Sequence, residues 1–421
     1  MSQPDPRAFL ESLFSAAVDA VKPEKCLTGF IPAKPKGRTI VIGAGKASAE
    51  MARAFEMLWD GPLEGLVVTR YGHGAACEQI EIVEAAHPVP DEAGTNAALR
   101  MLTLMDGLTG DDLVVALISG GGSALLCAPA PGIDMETKRD INRALLASGA
   151  SIHEMNCVRK HLSAIKGGRL AVRAHPARMV TLCISDVPGD DISTVASGPT
   201  VPDATTLAQA RDIVARYRID VPAAASAYLA DEKNETPKPG NPAFGGDEAH
   251  LVASASRALA AAAMVARDAG YACLVLGDGI EGESREIAKM HAAIACYAAA
   301  TGEPVKRPAL ILSGGETTVT VRGKGRGGRN AEFGLSLAIA LDSAKGIHAI
   351  ACDTDGIDGT EDNAGVYVAP DTLSRLFAAG VTPLKSLDNN DGYSAFAALD
   401  ALIITGPTLT NVNDFRAILI E

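Results

Sequence analysis

Aromatic side chains are scarce in this chain, 4% of residues with a single tryptophan, and nowhere do they interleave with a run of lysine and arginine. Single-stranded nucleic acid is held by stacking platforms set in a basic groove, and neither ingredient is present. A net charge of −13 removes the remaining electrostatic route to a nucleic-acid backbone. The eight cysteines are scattered, with no CxxC pair and no histidine at zinc-ligand spacing, which excludes a zinc ribbon and favours a reduced compartment. No apolar stretch approaches the roughly 18 residues of a membrane span. The first residues carry Asp5, Glu11 and Asp19 in a helix-like pattern rather than the basic start of a signal peptide. A soluble cytoplasmic protein is expected, with neither a nucleic-acid nor a membrane partner.

What is plentiful is small and aliphatic: hydrophobic residues make up 47% of a 421-residue chain that has 42 glycines. A single core stops growing at roughly 250–300 residues, so two domains are expected. Short β-type runs at Thr39–Ile42, Leu66–Thr69, Leu113–Ile118 and Met179–Ser185 alternate with alanine-rich helical patterns, the signature of parallel βαβ units. LVVALI at 113–118 is apolar without alternation, as befits a central strand covered on both faces. Periodicity fails between about 220 and 249, where DEKNETPKPGNPAFGGDEA mixes charge, proline and glycine. The expected domains are therefore 1–235 and 250–421. The second begins a fresh series: helix Ser256–Ala269, strand Ala272–Leu276, helix Glu283–Ala300, strands Ala309–Ser313 and Thr317–Val321, helix Asn330–Leu341, strand Ile347–Ala351. The terminal AILI reads as one more strand that could pair in either domain.

A net-negative protein that binds an anion must do so with local cations and backbone N–H groups, and glycine turns supply the latter. In VIGAGKAS a strand runs through Gly43 and Gly45 into a helix start beside Lys46. A cation there opposes the helix dipole by roughly 0.3–1 kcal/mol, which makes more sense if an anion sits beside it. Ser48 replaces the third glycine of a dinucleotide fingerprint, and Arg70 stands where its ribose-binding acid belongs. A P-loop is excluded because its loop is longer and its lysine is followed by a hydroxyl. In ISGGGSALL, Gly120, Gly121 and Gly122 lead to Ser123 and allow a ligand close to the backbone. In LSGGETTVTVRGKGRGGRNAEF, Gly314, Gly315 and Glu316 follow a strand, and the loop 323–328 delivers Arg329 to a helix start, repeating the oddity of Lys46. Lys324 and Arg326 read as solvated or adaptable.

Two acidic stretches follow strands. ISDVPGDD offers Asp186 and Asp190 as Mg²⁺ ligands, since that ion takes one or two carboxylates plus substrate phosphates, while Asp191 reads as a cap. ACDTDGIDGTEDNAG is no EF-hand, for Ile357 occupies a ligand position; Asp355 is the preferred base for a substrate hydroxyl. His161 reads as helical and structural. The neutral groups of TGPTLTNVNDF are left without a role.

Taken in order, GAGKAS, SGGGSALL, RKHLSAIKGGRLA, SDVPGDD, ASGPTVPD, SGGETTVTV, GRGGRNAEF, DTDGIDG and GPTLTNVND resemble the glycerate 2-kinase family with a leucine-rich C-terminal domain, across nearly the whole chain. The resemblance implies an α/β fold: an N-terminal Rossmann-like parallel-sheet domain, a smaller C-terminal α/β domain, and an active site in the cleft between them. It implies ATP, Mg²⁺ or another divalent cation, D-glycerate as the acceptor and 2-phosphoglycerate as the product, and it admits a homodimer. Lys46 and Arg329 match residues the family is thought to use for phosphate charge, and Asp355 falls in its acidic motif. The family has also been labelled hydroxypyruvate reductase. An NAD(P)H enzyme is thus the rival reading, with Arg70 placed to meet a 2′-phosphate and the missing third glycine against it.

Overall fold

The computed structural model describes residues 5–421 and divides into two compact units. One runs Cys26–Val252; the other joins the described residues up to Lys25 to Ala253–Glu421.

The Cys26–Val252 unit is built on β1 (Thr39–Ala44), β2 (Glu64–Arg70), β3 (Ile80–Ala85), β4 (Leu113–Ser119), β5 (Arg178–Ile184) and β6 (Glu248–Ala253). Their order is β3-β2-β1-β4-β5-β6, and β1 to β5 pair in parallel. β1 and β4 are buried along their whole length, which is why their sequences are unbroken aliphatic runs. From β1 the chain winds outward to β3, returns to β4 and winds the other way. The carboxyl ends of β1 and β4 therefore flank the switch point, where open α/β sheets bind ligands.

In the second unit come β7 (Ala272–Gly277), β8 (Gly282–Glu283), β9 (Ala309–Gly315), β10 (Thr317–Thr318), β11 (Ile347–Asp353), β12 (Gly365–Val368), β13 (Leu402–Ile403) and β14 (Asp414–Ile420). The main sheet has the order β13-β12-β11-β14-β9-β7. Only β7 and β9 pair in parallel; the other neighbours are antiparallel. The terminal strand thus pairs within this unit, between β9 and β11. Its register sets Asp414 opposite Asp353 on one side and Gly315 on the other, gathering three motifs at one sheet edge.

Three expectations change. Helix Pro6–Ala20, first in chain order, packs in the C-terminal unit: Phe9 stacks on Tyr271 with ring centroids 4.7 Å apart, and Phe14 meets Phe415 at 5.7 Å. The aperiodic stretch after 220 is a strap rather than a linker. Glu235 accepts from the Leu207 N–H (2.9 Å) and contacts His161 Nε2 (2.8 Å), and Asp247 accepts from the Met179 N–H (2.8 Å), so the change of unit falls at 252–253. The expected strand Thr317–Val321 shrinks to β10, paired with β8, because the chain then turns to bond residues 389–391. Among the described residues no helix is long and apolar enough to cross a membrane.

Candidate active site

At the switch point the turns after β1 and β4 are fastened together. The Lys46 N–H donates to Gly120 O (2.8 Å), the Ala47 N–H to Ser119 Oγ (3.0 Å), and the Ser48 and Ser119 hydroxyls share a bond of 3.0 Å. Ser48, out of place in a dinucleotide fingerprint, is fully buried and serves this junction. Gly43 and Gly45 lie against the backbone of Leu117 and Ser119, so their missing side chains make room for the neighbouring strand. Gly120 and Gly121 differ. A Cβ on Gly120 would run into the Asp186 carboxylate. One on Gly121, held at φ 79°, would lie 3.1 Å from His87 Nε2 and 3.2 Å from Lys46 Cγ. The backbone of Gly120 and Gly121 is thus overhung by charged and polar side chains, whereas Gly122 packs against Ala196 and the backbone of Ala44.

Behind the loop the support is dense. Ser123 Oγ is 2.8 Å from Ser197 Oγ, and the fully buried Lys166 amine donates to Ser123 O (2.9 Å) and Ala196 O (3.3 Å). Burial, then the nearby Lys138 charge, holds the Lys166 amine down to about 7. Ala196, Ser197 and Gly198 occupy the left-handed region in succession, a conformation that only over-determined surroundings sustain. Asp186 and Asp190 both act on the buried thiol of Cys183 at the end of β5, which places the two carboxylates at the same end of the sheet. Asp191 caps its own turn, accepting from the Ser193 N–H (2.9 Å) and hydroxyl (2.7 Å). His161 is structural, its Nδ1 2.8 Å from Cys157 O.

In the other unit Arg329 opens helix Arg329–Leu341 and meets three carboxylates. Its Nε donates to Asp414 Oδ1 (2.6 Å), one terminal nitrogen to Asp353 Oδ2 (2.7 Å) and the other to Glu316 Oε1 (2.9 Å). These acids raise its pKa despite burial. At this helix start, where an anion beside the cation was expected, the protein itself supplies three carboxylates. Asp414 is the hub, for its other oxygen takes the fully buried Arg416, and Asn330 Nδ2 donates to it at 2.8 Å. Among the described residues, three of Arg329's five N–H donors are engaged.

The glycine loop before Arg329 is likewise satisfied within the protein. The N–H groups of Gly323, Lys324 and Arg326 donate to side chains of Asn390 (3.0 Å), Asn389 (3.1 Å) and Asp391 (3.0 Å). Arg326 stays largely exposed, as expected, while pairing with Glu361 and lying over the Tyr393 ring at 4.3 Å. Gly314 and Gly315 also make room for protein, since a side chain on Gly315 would collide with Ile280. Asp355 is buried and closes a turn, its Oδ1 accepting from the Ile357 N–H at 2.9 Å. Asp358, undistinguished among its acidic neighbours, caps the Arg329 helix by accepting from the N–H groups of Asn330 (2.9 Å) and Ala331 (2.8 Å). Burial pushes its carboxyl up to about 6. Among the described residues no three His, Cys, Asp or Glu stand together as a metal site.

Sequence reasoning placed Asp358 among the acids of ACDTDGIDGTEDNAG without foreseeing its cap, and passed over Asp414, Lys166 and His87. Asp414 sat inside the flagged TGPTLTNVNDF, where a carboxylate among neutral residues was the available signal. Lys166 and His87 left none.

Residues 9–230 match the domain of unknown function DUF4147, and 309–414 match the MOFRL family. An Agrobacterium vitis protein given the provisional name hydroxypyruvate reductase is 57% identical over 98% of this chain and 94% of its own. A D-glycerate 2-kinase from Thermotoga maritima is 40% identical over 94% of each chain. The crystal structure of a Thermotoga maritima glycerate kinase superposes with a TM-score of 0.91 at 38% identity, covering 99% of both chains. On these matches, the chain belongs to the glycerate 2-kinase family that joins a DUF4147 domain to a MOFRL domain.

Proposed function

We propose that this chain transfers the γ-phosphoryl group of ATP to the 2-hydroxyl of D-glycerate. The observation that carries the reading is the Gly120–Ser123 loop at the β1/β4 switch point, with the Lys46 side chain against Gly121 and the Asp186 carboxylate over Gly120. Backbone N–H groups at a helix start and one fixed cation suit phosphate oxygens. Phosphoryl transfer asks the protein for positioning and charge neutralisation rather than covalent chemistry.

Lys46 in the N-terminal unit and Arg329 in the C-terminal unit are the cations that neutralise phosphate charge. Asp355 orients the attacking hydroxyl and accepts its proton. A divalent cation, when bound, aligns and neutralises the phosphate oxygens. Asp186 and Asp190 are the carboxylates that fit it, two ligands with the other positions left to phosphate and water.

A purified Lys46→Ala protein tests this. By comparison with fixed cations in phosphoryl transfer, kcat for glycerate-dependent ADP release should fall about 10³-fold or more with an unchanged melting temperature. Full turnover in that variant would return Lys46 to the ordinary surface. The rival reading, an NAD(P)H-dependent hydroxypyruvate reductase, has the names of two similar Agrobacterium vitis proteins behind it. The buried Ser48–Ser119 bond fills the place where that fingerprint needs glycine.

A further inference from the structure

The motif RKHLSAIKGGRLA carries two cations that the reading above does not use, Arg159 and Lys166, and helix Met135–Ala147 supplies a third, Lys138. Both lysines are buried, and Arg159, on helix Ile152–His161, is partly so. Among the described residues none of the three has a carboxylate partner. Lys138 Nζ donates to Ala128 O (3.5 Å), Lys166 Nζ to the carbonyls of Ser123 and Ala196, and Arg159 Nε to Asn142 Oδ1 (3.2 Å). Lys160, between them in sequence, shows the ordinary arrangement, paired with Asp203 at 3.2 Å. Cations left together without an acid are unexpected in a chain of net charge −13, because buried charge is costly unless it is paired.

The three are near enough to act on one another. Burial is the main cause that holds both lysine amines down, and the Arg159 charge adds to it in each. The oxygen acceptors around them are already spent. Ala128 O takes the Ser163 hydroxyl (3.1 Å) as well as Lys138, Asn142 Oδ1 takes Arg159, and Asn156 Oδ1 takes the Ser197 hydroxyl (3.4 Å). What remains are donors: the terminal nitrogens of Arg159 and the amide nitrogen of the buried Asn156 have no partner among the described residues. Asn156 lies three residues before Arg159, so the two share a face of their helix. Through Ser197, whose hydroxyl is 2.8 Å from that of Ser123, this face adjoins the glycine loop at the switch point.

We propose that Asn156, Arg159, Lys138 and Lys166 form an oxyanion subsite beside Ser123, in which a bound carboxylate or phosphate supplies the negative charge that the protein does not. Guanidinium and amide N–H groups donate to its oxygens, and the buried amines add a positive field that disfavours a neutral or cationic occupant. The identity of the anion rests on the kinase reading; the existence of the subsite does not. The acid substrate's carboxylate and a nucleotide phosphate share this chemistry, and the experiment separates them.

Dissociation constants of D-glycerate and of a non-hydrolysable ATP analogue are measured by calorimetry on full-length wild type, Arg159→Ala and Lys138→Met. Lys138→Met puts an apolar side chain in place of a buried amine, so without ligand its melting temperature should match or exceed that of wild type. If the subsite takes the acid's carboxylate, both variants should weaken D-glycerate about tenfold or more and leave the analogue within about twofold; if it takes a phosphate, the losses are reversed. A uniform result, no change for either ligand or an equal loss for both, overturns the subsite. Should wild type bind neither ligand, the kinase reading fails and inorganic phosphate tests the subsite alone. Phosphate should then raise the melting temperature of wild type more than that of either variant, and an equal response in all three proteins overturns the subsite.

Discussion

Lys46 and Arg329 look alike in sequence, each a cation at the start of a helix after a glycine turn, and the structure separates them. Lys46 sits two residues before its helix, beside open glycine backbone, whereas Arg329 is clamped by Asp414, Asp353 and Glu316. Arg329 is thus preorganised by protein carboxylates. Lys166 is a third kind of cation, fully buried behind the Ser123 loop with two carbonyl acceptors, as many as a neutral amine can serve. Its folded-state pKa of about 7 lies below the unfolded value of about 10.4. Between those values the unfolded chain binds a proton that the folded one does not, so this lysine's contribution to stability rises with pH across that window and is lost as pH falls towards 7. Thermal melts of wild type and Lys166→Met should therefore diverge in favour of wild type from pH 7 to pH 10. A constant difference would show that Lys166 stays charged in the folded protein.

Among the elements, helix Arg329–Leu341 shows what a linear reading can and cannot supply. Its apolar periodicity and the glycines before it mark its start to within one residue. Its cap is invisible there, because Asp358 arrives from beyond β11 to take the N–H groups of Asn330 and Ala331. Loss of a capping side chain costs about 0.5–2 kcal/mol, and this one is fully buried, so Asp358→Ala should fall at or beyond the upper end of that range in urea unfolding. Asp358→Asn, which keeps one acceptor oxygen, should lose less; equal stabilities for wild type and Asp358→Ala would remove the cap. The strands around the switch point were legible because burial on both faces writes itself as aliphatic runs. β3, β12 and the short β13 were not, since IEIVEA and GVYV take their partners from distant segments and carry no periodic signal of their own. The loop 323–328 misled for a related reason. Its glycines permit close approach, and what approaches is the segment 389–391 rather than a ligand.

For the whole molecule, chain order is a poor guide to which residues fold together. The helix Pro6–Ala20 belongs to the sheet of β11 and β14, with Phe9, Leu10, Leu13 and Phe14 buried there. Phe14→Ala should cost about 3–5 kcal/mol. Hydrogen exchange should register the loss as weakened protection in β11 and β14 with β1 and β4 unchanged; weakening in β1 and β4 instead would contradict the assignment of this helix to the C-terminal unit. The family could be read in the sequence from nine motifs in order, and the candidate site of the N-terminal unit from its glycine turns. The carboxylate clamp on Arg329 could not, because it forms only when the register brings Asp353, Asp414 and Gly315 level. The central claim is that these two sheet ends serve phosphoryl transfer to a hydroxy acid. Its most direct test is to incubate the full-length protein with ATP, Mg²⁺ and uniformly ¹³C-labelled D-glycerate and follow the product by ³¹P and ¹³C NMR. The account predicts ATP-dependent 2-phosphoglycerate, with phosphorus coupling at the carbon bearing the 2-hydroxyl. No phosphorylated product, together with oxidation of NAD(P)H by hydroxypyruvate in the absence of ATP, would contradict it.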